Sequence, residues 1–131
     1  MNSRCYRMGV AWSLVAMTII AVGCGSKKPH QVSGKVVFKG EPLPAGVIWF
    51  DPDPKNDAPQ GYAIIKNGEY STAKDGGRGI NGGAYIVRIE GFDGQPGNEL
   101  PLGKPLFKDF QQPIELPKAD SIQNFEVPEN K

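Results

Sequence analysis

The chain has 131 residues, which bounds it at one folded domain, and its formal net charge is +1. Its 15 basic and 14 acidic residues nearly balance, so the chain has no basic field that would attract nucleic acid. Most of the 17 glycines and all 12 prolines lie beyond residue 24, and this density disfavours long helices in the body of the protein.

The first 23 residues have the pattern of a signal peptide. Arg4 and Arg7 precede an apolar stretch at residues 8–23. As a helix this stretch would span roughly 24 Å, at about 1.5 Å per residue, whereas a bilayer core needs about 30 Å. The length predicts the apolar region of a signal peptide, and an uncleaved anchor helix is the alternative.

The sequence AVGC at residues 21–24 resembles the lipobox of bacterial lipoproteins. The resemblance implies cleavage before Cys24 and a diacylglycerol on its thiol, which would hold the mature protein in membrane lipid. The other cysteine, Cys5, would leave with the signal peptide, and a lone free thiol would be unusual in a disulfide-permissive compartment. The alternative is an ordinary secretory signal that ends at a cysteine.

Three segments follow from this interpretation: a lipoprotein signal peptide at residues 1–23, an acylated tether at 24–31 and a β domain at 32–131. The tether contains His30, the only histidine, for which we expect a linker role. The predicted location is the cell envelope. Gly25 follows the cysteine where that family places aspartate for inner-membrane retention, so the resemblance favours the outer membrane.

From Val32 onwards, short β-rich runs alternate with turn residues. The predicted runs are 32–40, 45–51, two within 61–73, 84–92, 110–117 and 122–128, and Asn67-Gly68 predicts a tight hairpin inside the third segment. About seven short strands in roughly 100 residues predict an all-β fold, a seven-stranded antiparallel β-sandwich.

Alternation within these runs predicts which side chains face the core. In the run 84–90, Tyr85 shares one face with Val87 and Ile89. The charged residues Arg88 and Glu90 lie on the opposite face. The full predicted core comprises Val32, Gly34, Val36, Phe38, Ile48, Phe50, Tyr62, Ile64, Tyr70, Tyr85, Val87, Ile89, Ile114, Leu116, Phe125 and Val127.

Glycines at positions 77, 79 and 82 have the G-x-G-x-x-G spacing of a dinucleotide-binding turn. That turn needs a helix after it, because the pyrophosphate rests on the helix N-terminus. Here an alternating β-type run follows instead. The glycines therefore predict a loop that permits positive φ before the chain re-enters the sheet.

The segment VSGKVVFKGEPLPAGVIWFDP, together with NGEY and GGAYIVRIEG, resembles carboxypeptidase regulatory-like domains. The closing segment, residues 106–128, is similar to the closing hairpin of small lipoproteins of planctomycete-type bacteria. The resemblance implies a transthyretin-like (prealbumin-like) sandwich. It also implies a non-catalytic folding or docking module, with an envelope protein or a glycan as its partner.

We expect no catalytic residues, metal site or cofactor. The domain lacks histidine and free cysteine, and its serines do not form a nucleophile elbow. The sequence DPDPKND at residues 51–57 groups three carboxylates that calcium could use, but its prolines favour a solvated turn.

A candidate contact patch consists of Val47, Trp49 and Ile86, which the alternation places opposite the core. Clustered apolar groups on a surface often mark contact sites, here for a partner protein, a glycan or a small apolar molecule. The alternative is that the segment LPLGKPLFKDF at residues 100–110 folds over this face and buries Trp49.

Overall fold

The computed structural model describes residues 28–129, and within them the protein is all-β with no helix, as predicted. Its strands are β1 (Val32–Phe38), β2 (Glu41–Pro42), β3 (Ala45–Pro52), β4 (Gly61–Lys66), β5 (Glu69–Ser71), β6 (Gly83–Phe92), β7 (Phe110–Leu116), β8 (Ser121–Ile122) and β9 (Phe125–Val127). The predicted runs all contain strands, and the predicted signal peptide lies outside the described residues.

The strands form one curled sheet in the order β2-β1-β5-β4-β3-β6-β7. Neighbours in that order are antiparallel, whereas β8 and β9 pair with β1 in parallel. The described residues thus hold nine strands instead of seven, because the first turn forms β2 and the last predicted run divides into β8 and β9.

The hairpin predicted at Asn67-Gly68 is confirmed. Both residues have positive φ, 50° and 74°, which is the backbone that a two-residue turn of this kind requires. On either side of the turn, Lys66 of β4 pairs with Glu69 of β5, and Ile65 pairs with Tyr70. A Cβ on Gly68 would also lie 2.6 Å from the Cβ of Pro42, so glycine is required here for space as well as conformation.

The core lies on the inner face of the curled sheet, where alternate residues of β3, β4, β6 and β9 are buried. Most of the predicted core is confirmed; Phe38 and Ile114 are only partly buried but pack against it. The fully buried set also contains two loop residues that alternation does not identify, Leu43 and Ile80. The core side chains are Val32, Val36, Leu43, Ile48, Phe50, Ala63, Ile65, Tyr70, Ile80, Tyr85, Val87, Ile89, Leu116, Phe125 and Val127.

The predicted face of β4 is wrong. Ala63 and Ile65 are buried there, whereas the predicted core residues Tyr62 and Ile64 lie on the outer face and are only half-buried. The cause is Ile80, whose Cγ2 atom would lie 2.6 Å from a Cβ built on Gly61. Because this loop residue already fills the inner side of β4, only small residues fit at the start of that strand.

Strand β1 joins the two ends of the domain. It pairs with β5 and β2 in antiparallel and with β8 and β9 in parallel. Between β8 and β9 the chain crosses Gly34, and a Cβ at that position would overlap the carbonyl oxygen of Gln123. The hydroxyl of Tyr70, the residue paired with Gly34, donates to the same oxygen at 2.7 Å.

Ordered pairing begins two residues before the predicted domain boundary. The backbone of His30 donates to Ile80 at 2.7 Å and accepts from it at 2.9 Å. The side chain of Gln31 accepts a hydrogen bond from Thr72. His30 and Gln31, at the end of the predicted tether, are therefore hydrogen-bonded to the β body.

Candidate contact surfaces

Cys24, the predicted lipidation site, lies outside the described residues. It lies six positions before His30, the first residue of 28–129 that pairs. A fully extended chain spans at most about 3.6 Å per residue, so the tether could hold the body within about 22 Å of an anchored Cys24. Within residues 28–129 no helix meets the length and apolarity needed to cross a membrane.

The three residues of the predicted contact patch lie on the outer face of the sheet, on neighbouring strands. Val47 and Trp49 alternate with buried residues along β3, and Ile86 of β6 pairs with Asp51, two positions beyond Trp49. All three side chains are half-buried rather than fully exposed. The sheet thus brings the patch together, and whether it contacts a partner stays a prediction.

Arg88 covers one side of Trp49. Its guanidinium carbon lies 4.3 Å from the centroid of the Trp49 ring, at a distance suited to a cation–π contact. Two carboxylates hold the guanidinium in place: Asp51 at 3.0 Å from Nε and Glu90 at 3.6 Å from Nη1. The alternation placed Arg88 on this face but did not indicate that it stacks on the tryptophan.

The segment at residues 100–110 turns to the other side of the sheet. Phe107 packs against the ring of Phe38, with centroids 5.0 Å apart. It also lies on buried Gly91, where a Cβ would fall 2.6 Å from its Cζ atom. Phe107 therefore helps to close the core, and the intramolecular contact on Trp49 comes from Arg88.

Tyr62 and Ile64, which the sequence placed in the core, extend the outer face instead. Tyr62 pairs with Trp49 and Ile64 pairs with Val47, so four large side chains lie side by side on β3 and β4. The Tyr62 hydroxyl donates to the carbonyl of Gly76 at 2.6 Å, which fixes the ring under the glycine-rich loop.

A groove of about 780 Å³ follows the outer face of β1, β5 and β4. We name it the lysine groove, and its defining residues are Lys35, Ile64, Lys66, Glu69, Lys74 and Ile122. Lys66 forms an ion pair with Asp75 at 2.8 Å across its rim. Ile122 is 75% exposed, the highest value among the large apolar side chains of residues 28–129. Sequence patterning could not identify this groove, because its walls come from distant parts of the chain.

The glycine-rich segment is a loop that leads into β6, as predicted, and β6 itself begins at Gly83. Gly82 and Gly83 have positive φ, 82° and 98°. Gly77 and Gly79 are needed for another reason, namely close backbone approach. A Cβ on Gly77 would lie 2.6 Å from the carbonyl oxygen of Thr72. A Cβ on Gly79 would overlap the carbonyl oxygen of His30.

Two of the three acidic residues in the segment 51–57, Asp51 and Asp53, have structural partners. The carboxylate of Asp53 accepts from the backbone of Lys55 at 3.0 Å, as expected for a local turn. Asp51 binds Arg88 and the side-chain amide of Gln60. Within residues 28–129 no three His, Cys, Asp or Glu side chains are grouped closely enough to hold a metal ion.

Buried polar groups in the body hold segments together. The Thr72 hydroxyl accepts from the backbone of Val32 at 2.9 Å and donates to Gln31 at 2.6 Å. The Tyr85 hydroxyl accepts from the backbone of Asn81 at 3.1 Å. Burial raises the pKa of Tyr70 well above its ordinary value of 10.0, because the tyrosinate would lose its hydration.

Comparison with family models, curated proteins and solved structures gave no match for this chain.

Proposed function

We propose that the protein is a lipid-anchored module of the bacterial cell envelope that acts by binding or scaffolding another envelope component. The observation that carries the proposal is the signal-peptide pattern ending at Cys24, only six residues before the first paired residue, His30. A tether this short keeps the β body next to the membrane, where a scaffold for envelope components must lie. The location that we favour is the outer membrane.

The proposed mode of action is non-catalytic. In support of this mode, several polar side chains that could take part in catalysis instead form contacts that maintain the fold. Tyr70 holds the crossing at Gln123, and Thr72 joins β1 to its neighbouring loop. Arg88 is engaged by Asp51, Glu90 and the ring of Trp49.

For the fold, we propose a transthyretin-like sandwich of the carboxypeptidase regulatory-like type. The order of turn and strand motifs supports it: a first strand at Val32–Phe38, a glycine turn, and a hairpin at Asn67-Gly68. An experimental structure tests this proposal. Two packed sheets with this connectivity are expected, and a single open sheet would contradict it.

Replacement of Cys24 by Ala in a bacterial host tests the anchor. We expect the variant to lose incorporation of labelled palmitate and to leave the membrane fraction. The matched control is Cys5→Ala, which removes the other cysteine and should keep both properties. Palmitate-labelled, membrane-bound Cys24→Ala protein would refute lipidation at this residue, and separation of inner from outer membranes tests the proposed location.

A second candidate function is glycan binding at the outer face, and the pairing of Trp49 with Tyr62 favours it. Neighbouring aromatic rings beside polar groups such as Asp51 and Arg88 suit a sugar, because its apolar face stacks on rings while its hydroxyls take hydrogen bonds. In a chain that starts at Gly25, Trp49 is the only tryptophan. Titration with envelope glycans should therefore change its fluorescence saturably, and no change at any concentration would exclude this candidate.

A further inference from the structure

We propose that the lysine groove binds a small amphiphile with one negative charge, that is, a molecule with an apolar chain and a carboxylate-type head group. The proposal does not depend on lipidation of Cys24, because every groove residue lies within the described body. It concerns a different surface from the cross-strand neighbours Trp49 and Tyr62, although Ile64 borders both.

The apolar part of the site comes from Ile64 on β4 and Ile122 on β8. Ile64 is half-buried in the sheet, whereas Ile122 is 75% exposed. Only two other large apolar side chains of residues 28–129 are exposed, Leu100 at 42% and Leu106 at 36%, and neither lines the groove. A hydrocarbon chain lying between Ile64 and Ile122 would remove both from water, which is the main driving force for such binding.

The charged part of the site has one more cation than anion. Lys66 is neutralised by Asp75 at 2.8 Å. Lys35 lies directly opposite Glu69 in the β1–β5 pairing, where opposite charges attract. Neither Lys35 nor Lys74 has a carboxylate oxygen within 4.0 Å among the described residues. Matching Glu69 to Lys35, which it faces, leaves Lys74 as the cation in excess. A single anionic head group would therefore balance the charge of the groove.

The size and mixed character of the groove agree with this ligand class. Its volume of about 780 Å³ lies in the range of roughly 300–1,000 Å³ that small-molecule sites occupy. Ser33 and Ser71, paired across β1 and β5, add hydroxyl donors at the floor. Because the floor is formed by paired strands, the site is pre-formed and the protein loses little conformational freedom on binding.

The test uses the chain from Gly25 to Lys131, because all strand pairings and all core side chains of the described body lie between His30 and Val127. Dodecanoate, kept below its micelle concentration, is titrated into isotope-labelled protein and the backbone amide shifts are followed by NMR. Saturable shifts are expected at Lys35, Ser71, Lys74 and Ile122. Dodecyltrimethylammonium, which carries the same chain with a positive head, should bind about tenfold more weakly.

Two substitutions locate the site, and each has a matched control. Ile122→Asn and Lys74→Gln should each weaken dodecanoate binding about fivefold, through the chain and the head group respectively. Leu100→Asn and Lys118→Gln make the same chemical changes at exposed positions outside the groove and should leave affinity unchanged. The proposal is overturned if shifts do not saturate, if they centre on Leu106 and Phe107, or if the cationic amphiphile binds equally well.

Discussion

Replacing Gly34 by Ala should cost more stability than any ordinary surface substitution, because the chain that joins β8 to β9 lies directly on this glycine. A Cβ at Gly34 would overlap the carbonyl oxygen of Gln123 and would lie 2.7 Å from the carbonyl carbon. Both are backbone atoms, so no side chain can rotate to make room. The added methyl group must therefore displace the crossing itself.

The cost follows from the hydrogen bonds that hold this crossing. Gln123 accepts from the Tyr70 hydroxyl at 2.7 Å and donates to the Ser33 carbonyl at 2.8 Å, while Asn124 accepts from the backbone of Lys35 at 2.9 Å. Each bond contributes about 0.5–1.5 kcal/mol, and displacement of the crossing weakens all of them. We expect the free energy of unfolding to fall by about 2–4 kcal/mol.

Urea unfolding followed by Trp49 fluorescence and far-ultraviolet circular dichroism measures this loss. The matched control is Gly97→Ala, because a Cβ there meets no atom within 4 Å; its effect should stay within about 0.5 kcal/mol. In a Tyr70→Phe background the penalty of Gly34→Ala should shrink, since one bond is already missing. A Gly34→Ala protein as stable as the Gly97→Ala control would refute the close approach and the reasoning built on it.

Three further substitutions test other contacts. Because the pKa of Tyr70 is raised in the fold, the unfolded chain loses this proton first, so stability should fall above about pH 10 by up to ~1.4 kcal/mol per pH unit. In urea unfolding at a series of alkaline pH values, Tyr70→Phe should lose stability less steeply with pH than the unchanged protein. Equal slopes of stability against pH for the two proteins would contradict the raised pKa of Tyr70. Thr72→Val leaves the backbone N–H of buried Val32 without its acceptor and should lower the free energy of unfolding by about 1–3 kcal/mol. Amide hydrogen exchange at Val32 should become faster, and an unchanged exchange rate would count against this hydrogen bond. Arg88→Met should shift Trp49 emission to the red and increase its quenching by acrylamide, and an unchanged spectrum would mean that the guanidinium does not cover the ring.

Alternation and turn chemistry predicted the strands because the longer strands, such as β3 and β6, bury one face and leave the other in contact with water. Tyr85, Val87 and Ile89 are buried as expected, and Asn67-Gly68 forms the hairpin. The prediction failed on β4, where both faces carry apolar residues and the choice depends on Ile80, a loop residue far away in sequence. Local pattern cannot indicate which loop side chain fills a core.

The candidate surfaces were predictable only in part. Val47, Trp49 and Ile86 could be placed on one face from their own strands, and the structure brings them together there. The stacking of Arg88 on Trp49 depends on the register between β3 and β6, which no single strand reveals. The lysine groove depends on β8 returning to β1, a contact between residues almost ninety positions apart.

The pairing of β8 and β9 with β1 determines when the domain can complete its folding. Phe125 and Val127 pair beside the opening strand, and Asp120 caps the backbone of Gln31. Contacts over such separations are slow to form, since the intervening loop must close before they contribute. A chain emerging from a ribosome would thus complete the pairing around β1 only after β8 and β9 have been made, late in its synthesis.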